Sequence, residues 1–358
     1  MAQTTAWLTG AWYRAGAALA RHRLTWRRPA YQHEARRWLV LQSGPNASTD
    51  YYIRPRAADH GMEMLVRDVN ADTPTSEDFP EGTQVVVVRY LSKQWAEALR
   101  VHAGRLASVV YFMDDDLLDP AAWEGLPRPY HDKLARHYAT VSGDIAALAS
   151  QLWVSTPELA SRYRELDPAV TPPLPLVDDV PRRTEHSPFV RVFYHGTQSH
   201  EAEIRWLRPV VAACLDACPH VHFEIIGDHM VNQLYRALPR TRVLHPMNWP
   251  NYVSHCRSMT GHIGLVPLLP SGFNAGRSHT KTMDVARCGG FGIYTKSPPY
   301  EAVVRHGVDG LLLPSREQAW IEHLVGLAND GSALALRQQQ AGKHLLQRPR
   351  HLPTAPAP

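Results

Sequence analysis

The 358-residue sequence predicts an α/β protein made of two Rossmann-like halves. Three observations lead there. Short β-branched runs alternate with helical periodicity along most of the chain, the mark of parallel βαβ units. A proline-rich stretch at 167–188, with Pro168, Pro172, Pro173, Pro175, Pro181 and Pro188, interrupts the rhythm once, and the alternation then restarts. Finally, 44% hydrophobic and 20% charged residues over this length suit two globular domains of ordinary size.

The elements follow in order. Residues 38–42 are a short apolar run that ends in a Ser-Gly-Pro-Asn turn. The run at 84–90 is a fully buried strand, and 94–103 a helix. A second buried strand, 107–113, stops at Asp114, Asp115 and Asp116. Residues 130–148 are helical, and 151–156 are a strand, with Pro157 opening the next helix at its first turn. After the proline-rich stretch, 189–194 is a strand that ends in His195, Gly196 and Thr197. Ser199 is placed to cap a helix running to Cys218, with Glu201 and Glu203 favourable in its first turn. Ile204, Leu207, Val211, Leu215 and Cys218 mark its apolar face, and Pro209 bends it. Further strands are expected at 222–226, 241–244, 263–267, 292–295 and 311–313, and a closing helix at 319–328. The boundaries are therefore a basic arm or amphipathic helix at 1–36, a first Rossmann-like domain at 37–166, a linker at 167–188, a second domain at 189–330 and a basic, proline-rich tail at 331–358.

The net charge of +4 is uneven: 1–37 carry +6, 336–358 carry +4, and the remainder carries −6. A basic groove across the body is therefore not expected, and nucleic acid is not an expected partner. Residues 11–28 can be drawn as a helix with Trp12, Ala15, Leu19 and Trp26 opposite Arg14, Arg21 and Arg28, a pattern compatible with peripheral contact at an anionic membrane face. A poorly ordered basic arm is the alternative. No run approaches the ~18 apolar residues of a membrane span, and no signal peptide is evident, so a cytoplasmic location is expected. The four cysteines, Cys214, Cys218, Cys256 and Cys288, form no Cys-x-x-Cys pair. Their spacing suits core thiols and argues against a zinc site.

The segment 274–284 is the most informative in the chain. It reads as a glycine-containing loop running into a short helix. Arg277 and Lys281 are four residues apart, hence on one helical face, at an N-terminus where the macrodipole disfavours cations. A phosphate between them and the free backbone N–H groups explains that choice. The alternative is a solvated basic turn with Ser278 as N-cap. Asp284, one turn further, suits ribose hydroxyls.

An ordered series of such segments resembles the nucleotide-binding domain of GT-B glycosyltransferases, in particular the retaining group with a Glu-x7-Glu donor motif (family 4, group 1). The series comprises the strand ending at Thr197, residues 223–228, residues 245–252 before a helix, the strand 264–267, the loop 274–284, residues 289–295, Tyr300 and residues 308–314. The resemblance implies a GT-B fold, two Rossmann-like domains facing across a cleft. It makes Asp284 the ribose ligand and Lys281 and Arg277 the diphosphate-binding cations. Gly196 falls where the family's first loop approaches phosphate, and Thr197, Asn274 and Ser278 complete the donor-binding set. One position departs: Gly276 stands where the first Glu belongs, so contact to the transferred sugar passes elsewhere, with Asn274 as a candidate.

The triple aspartate has three readings: a cleft carboxylate in a GT-B enzyme, centred on Asp115; a GT-A metal site; or acids favoured at a helix start. The first agrees with the two-domain pattern. His195, at the end of a strand, is a candidate catalytic or phosphate-contacting group, or else a satisfied core histidine. His60, His200 and His279 are background, and Asp50 is a further candidate for the same cleft. The resemblance thus implies a metal-independent transferase that moves a sugar from a nucleotide-diphosphate sugar, its substrate, to a glycan or lipid-linked acceptor, with no cofactor. The rivals are a sugar-nucleotide 2-epimerase and a non-catalytic nucleotide-sugar-binding protein. A dinucleotide oxidoreductase is disfavoured, because no Gly-x-Gly-x-x-Gly follows the first strand.

Overall fold

The computed structural model describes residues 26–176, 178–180, 187–196 and 198–347. Most of the expected N-terminal helix, the end of the tail, and Thr197 lie outside these residues. The chain forms two compact units. Among the described residues, one comprises those up to Leu174 together with Ser271–Ser278; the other comprises those of Pro175–Pro270 and from His279 to Gln347. The stretch Ser271–Ser278, placed by sequence in the second domain, thus groups with the first.

The first unit is a parallel six-stranded sheet: β1 (Arg37–Gln42), β2 (Glu63–Asp68), β3 (Thr83–Val88), β4 (Leu106–Met113), β5 (Gln151–Val154) and β6 (Ala169–Val170), in the order β2-β1-β3-β4-β5-β6. Its centre is valine-rich because both faces are covered, and every residue of β3 is buried. Helix α1 (Arg54–Asp59) follows β1, and α2 (Lys93–Val101), capped by Ser92, follows β3. Helix α3 (Arg128–Leu148) buries Leu134, Ala135, Tyr138, Val141 and Ile145 at helical spacing. Helix α4 (Pro157–Arg162) starts at a proline, with Thr156 Oγ1 accepting from Leu159 N. Residues 26–36 run along this unit without regular structure; there Tyr31 donates to the Leu148 carbonyl.

The second unit holds β7 (Val190–His195), β8 (Val221–Ile226), β9 (Thr241–Leu244), β10 (Ile263–Val266), β11 (Phe291–Thr295) and β12 (Gly310–Leu313), all parallel, in the order β12-β11-β10-β7-β8-β9. Counted from β7, that is the 3-2-1-4-5-6 order of dinucleotide-binding sheets. The helices are α5 (Glu201–Ala217), α6 (His229–Tyr235), α7 (Trp249–Ser258), then α8 (Gly272–Ala275) in the segment that groups with the first unit, α9 (Thr280–Arg287), α10 (Pro298–Glu301), α11 (Glu317–Asn329) and α12 (Gly331–Leu345). Gly264 on β10 lets α9 close on the sheet: a Cβ there would stand 2.6 Å from Val285.

Several expectations are corrected. Ser199 does not hold the N-cap position of α5: it lies in a 3-10 turn (Gln198–His200), and His200 is the N-cap. Residues 331–345, expected as tail, form α12, where buried Gln338 donates to the carbonyls of Gly261 and Gly289. Edge strand β2 and the two-residue β6 were not foreseen. Among the described residues no helix is long and apolar enough to cross a membrane.

Candidate functional site

In doubly wound sheets, ligands bind beyond the carboxyl ends of the strands where the strand order reverses. In the second unit that point lies between β7 and β10, which pair at Val192–Ile263 and Phe193–Gly264. Chain following β7 passes through Gly196, where a Cβ would come within 2.5 Å of the Tyr194 hydroxyl, so a larger residue would push the buried tyrosine ring aside. Lys281, in the first turn of α9, donates its ammonium to the backbone carbonyl of His195. The N-cap of α9 is His279, whose side chain makes no capping bond. The helix therefore presents its N-terminal dipole beside a lysine at the end of β7. Burial pulls the His279 imidazole down to about 4, which keeps it neutral there. One turn on, Asp284 Oδ1 accepts from Arg287 Nη1 at 2.9 Å. Arg287 in turn grips Asp179 through Nε (2.7 Å) and Nη2 (2.5 Å), a buried fork.

The expected partnership of Arg277 with Lys281 on one helical face does not form. Arg277 precedes the helix and belongs to the first unit, where its guanidinium lies over the Phe273 ring at 5.1 Å and its Nε is 3.6 Å from Asp115 Oδ1. Ser278 is not the cap of α9; its hydroxyl pairs with the Tyr52 hydroxyl in the same unit. Asn274 is buried in α8, its backbone N–H held by Ser271 Oγ. Gly276 offers no side chain, and a Cβ there would stand 2.9 Å from a terminal methyl of Leu159, which would have to shift.

The first unit carries an acidic site beyond β4. Its strand order reverses between β1 and β3, and Arg89, the residue after β3, sits there with φ +65, a strained backbone for a side chain of its size. The three aspartates diverge. Asp114 Oδ1 is 3.3 Å from Arg89 Nε, and its Oδ2 accepts from Ser48 at 2.7 Å. Asp115 Oδ2 accepts from Arg89 Nη2 at 3.1 Å, while its other oxygen faces Arg277. Asp116 is fully buried, held by Arg162 at 2.9 Å and by the Tyr163 hydroxyl at 2.5 Å. Burial, reinforced by neighbouring Asp115, pushes the Asp114 carboxyl up against the pull of Arg89. Asp116 is likewise pushed up by burial, against Tyr163 and Arg162. Asp50 forms an exposed helical pair with Arg54 at 3.0 Å. Sequence reasoning passed over Arg89 and Arg287. An arginine that ends an all-apolar strand was the available signal for the first.

The His195 ring is turned into the second unit. It packs on Phe193, Tyr252 and His255, with centroids 5.0, 5.6 and 5.8 Å away. Glu224 Oε1 stands 3.5 Å from its Nε2 and 2.9 Å from His255 Nε2. Ligand atoms of His195, Cys256 and Cys288 all lie within 4.8 Å of one another, and so do those of His195, Glu224 and His255. Cysteine spacing along the chain did not foreshadow this grouping.

No protein-family model matches the chain, and no curated protein matches it in sequence. Solved structures do match. HepE from Anabaena in complex with UDP-glucose aligns with a TM-score of 0.55 and 14% identity, over 87% of this chain and 95% of its own. A mutant of TarM from S. aureus, solved with fondaparinux, α-GlcNAc-glycerol and UDP, aligns with a TM-score of 0.53 and 9% identity, over 75% of this chain and 52% of its own. The pneumococcal O-GlcNAc transferase GtfA with UDP and GlcNAc gives 0.50 and 14%, over 76% and 55%. The chain thus spans nearly all of HepE and about half the length of TarM and GtfA. With its two parallel six-stranded sheets, the chain has the α/β fold of the GT-B class.

Proposed function

We propose that the protein is a glycosyltransferase that moves a sugar from a nucleoside-diphosphate sugar to a glycan or lipid-linked acceptor. One observation carries this reading: Lys281 and the N-terminus of α9 sit together at the strand-order reversal of the second sheet, beside Gly196. There the diphosphate would meet a cation, a helix dipole and close-packed backbone, and negative charge growing on the leaving group would be stabilised electrostatically. Asp284, oriented by Arg287, would hold the ribose hydroxyls. The fold shared with proteins solved with UDP or UDP-glucose supports a nucleoside diphosphate, with uridine the first base to test. In the first unit we assign Asp115 to the acceptor, as the general base or as the group that orients the acceptor hydroxyl, with Arg89 and Arg277 positioning the carboxylate. We propose a metal-independent, retaining transfer. The GT-B resemblance supports metal independence, and retention rests on the likeness of the 274–284 segment to the retaining Glu-x7-Glu group.

The test is calorimetric binding of UDP, GDP, dTDP, ADP and CMP, with and without EDTA, to the wild type and to Lys281→Ala. We expect one diphosphate to bind without added metal and the variant to lose at least tenfold in affinity, about 1.4 kcal/mol. Equal binding by Lys281→Ala would remove the central claim. A second reading, a nucleotide-sugar-binding protein that transfers nothing, is favoured by Gly276, which stands in the first Glu position and supplies no carboxylate there. Nucleotide binding without release of nucleoside diphosphate from the donor in any acceptor mixture would select it.

A further inference from the structure

We propose that His195, Cys256 and Cys288 form a buried site for a zinc-class divalent cation in the second unit, with Glu224 and His255 as its outer support. The three ligands come from separate elements: the end of β7, the body of α7 and the C-cap of α9. All three residues are buried, both cysteines are fully enclosed, and both thiols are free. Two sulfurs and an imidazole nitrogen suit a borderline-soft ion in tetrahedral geometry. With Zn–S bonds of about 2.3 Å, neighbouring ligand atoms lie roughly 3.5–3.8 Å apart, so atoms already within 4.8 Å need contract by only about 1 Å. A second and independent observation points the same way. Neither ring nitrogen of His195 makes a hydrogen bond of full strength, although the side chain is only 5% exposed; its polar neighbours are the Glu224 carboxylate, 3.5 Å from Nε2, and the Cys256 thiol. A buried imidazole is costly in that state. An ion would satisfy one nitrogen, and the other would be left to donate to a carboxylate, the usual arrangement behind a metal-bound histidine.

Glu224 is placed for that second role. Its Oε1 lies 3.5 Å from His195 Nε2, which leaves Nδ1 for the ion. His255 Nε2, at 2.9 Å, fixes the carboxylate in turn. The competing set of His195, Glu224 and His255 would place the ion on oxygen and nitrogen alone. It is disfavoured because Glu224 is already engaged by His255, whereas the two thiols have chiefly each other. Two thiolates also neutralise a divalent ion, so the filled site would carry no net charge into the core. The two thiol protons leave to solvent as the ion enters. The site does not depend on the transferase reading, since no residue assigned to substrate contributes its side chain.

The test begins with protein purified without chelator and analysed for metal by plasma mass spectrometry. Chelator-stripped protein is then titrated with Co²⁺. We expect one equivalent of metal per chain and a near-ultraviolet thiolate-to-cobalt band. Both should be lost in Cys256→Ser and Cys288→Ser, and both retained in Cys214→Ser and Lys281→Ala. Glu224→Gln should keep the band but bind about 10–100-fold more weakly. Because serine variants can misfold, stripped wild type is also tested, and Zn²⁺ should raise its melting temperature reversibly. A Co²⁺ spectrum without the thiolate band, an absence of binding, or a Cys256–Cys288 disulfide in peptide mass maps before reduction would overturn the proposal.

Discussion

Among the three consecutive aspartates, identical side chains do different work because of what each one touches. Asp116 is sealed beneath the surface between Arg162 and Tyr163. Removing it leaves the Tyr163 phenol without its acceptor and takes one partner from the half-buried Arg162, which keeps Glu158 and the Gly272 carbonyl, so Asp116→Ala should lower stability by about 2 kcal/mol in urea unfolding. Asp115 keeps some exposure, and Arg89 retains Asp114 when Asp115 is neutralised. Asp115→Asn should therefore cost less than about 1 kcal/mol in the same unfolding experiment. Its effect should fall on turnover, with release of the nucleoside diphosphate slowed at least tenfold. If Asp116→Ala proves the milder change in unfolding, or Asp115→Asn leaves turnover intact, the division of roles between the two is wrong.

At the level of elements, the second unit is fastened by the fork between Arg287 on α9 and Asp179 in the segment before β7. Both groups are essentially dry. The fork also steadies Asp284 through the third guanidinium nitrogen. Arg287→Met should cost about 3–5 kcal/mol, because it leaves Asp179 buried without its main partner. The double variant Asp179→Asn/Arg287→Met should recover part of that loss, as a double-mutant cycle by chemical denaturation would show. What sequence makes legible here follows the physics of each element. The central strands β3, β4, β7 and β8 announce themselves by their apolar runs, and α5 by Ile204, Leu207, Val211 and Leu215 at helical spacing. Edge strand β2, with Arg67 and Asp68 among its half-buried residues, shows neither clean alternation nor an apolar run. The glutamine-rich α12 is polar over most of its surface and packs through a few residues such as Leu334, Gln338 and Ala341, so it reads as tail. The place of Lys281 in the first turn of α9 was legible because its anomaly is local, a cation at a helix start. The Arg287–Asp179 fork and the His195–Cys256–Cys288 cluster join residues far apart in the chain, and no spacing rule reaches that far.

For the whole molecule, pH is the variable that reads burial directly. His137 lies edge-on to Tyr90, with ring centroids 4.9 Å apart, and burial pulls it down to about 4. The charges of Lys133 and Arg89 act in the same direction, while a backbone hydrogen bond at Arg89 works against them. Burial holds His279 down to about 4 as well, and His262 is lowered by burial and by Arg191. Each folded pKa lies below the unfolded value of about 6.5, so the unfolded chain binds more protons as pH falls. The stability these groups contribute is complete above about pH 6.5 and is lost on acidification towards about pH 4. Asp114 and Asp116 act oppositely, because burial raises them and the fold then keeps their protons longer, so only the difference between wild type and a histidine variant isolates the histidine. A single histidine can contribute a slope of at most about 1.4 kcal/mol per pH unit. His137→Phe should flatten the stability profile between pH 6.5 and 5 by up to that amount and leave the slope above pH 7 unchanged. Urea unfolding of both proteins across the range decides the matter: parallel profiles would mean that His137 is protonated as readily in the fold as in the open chain.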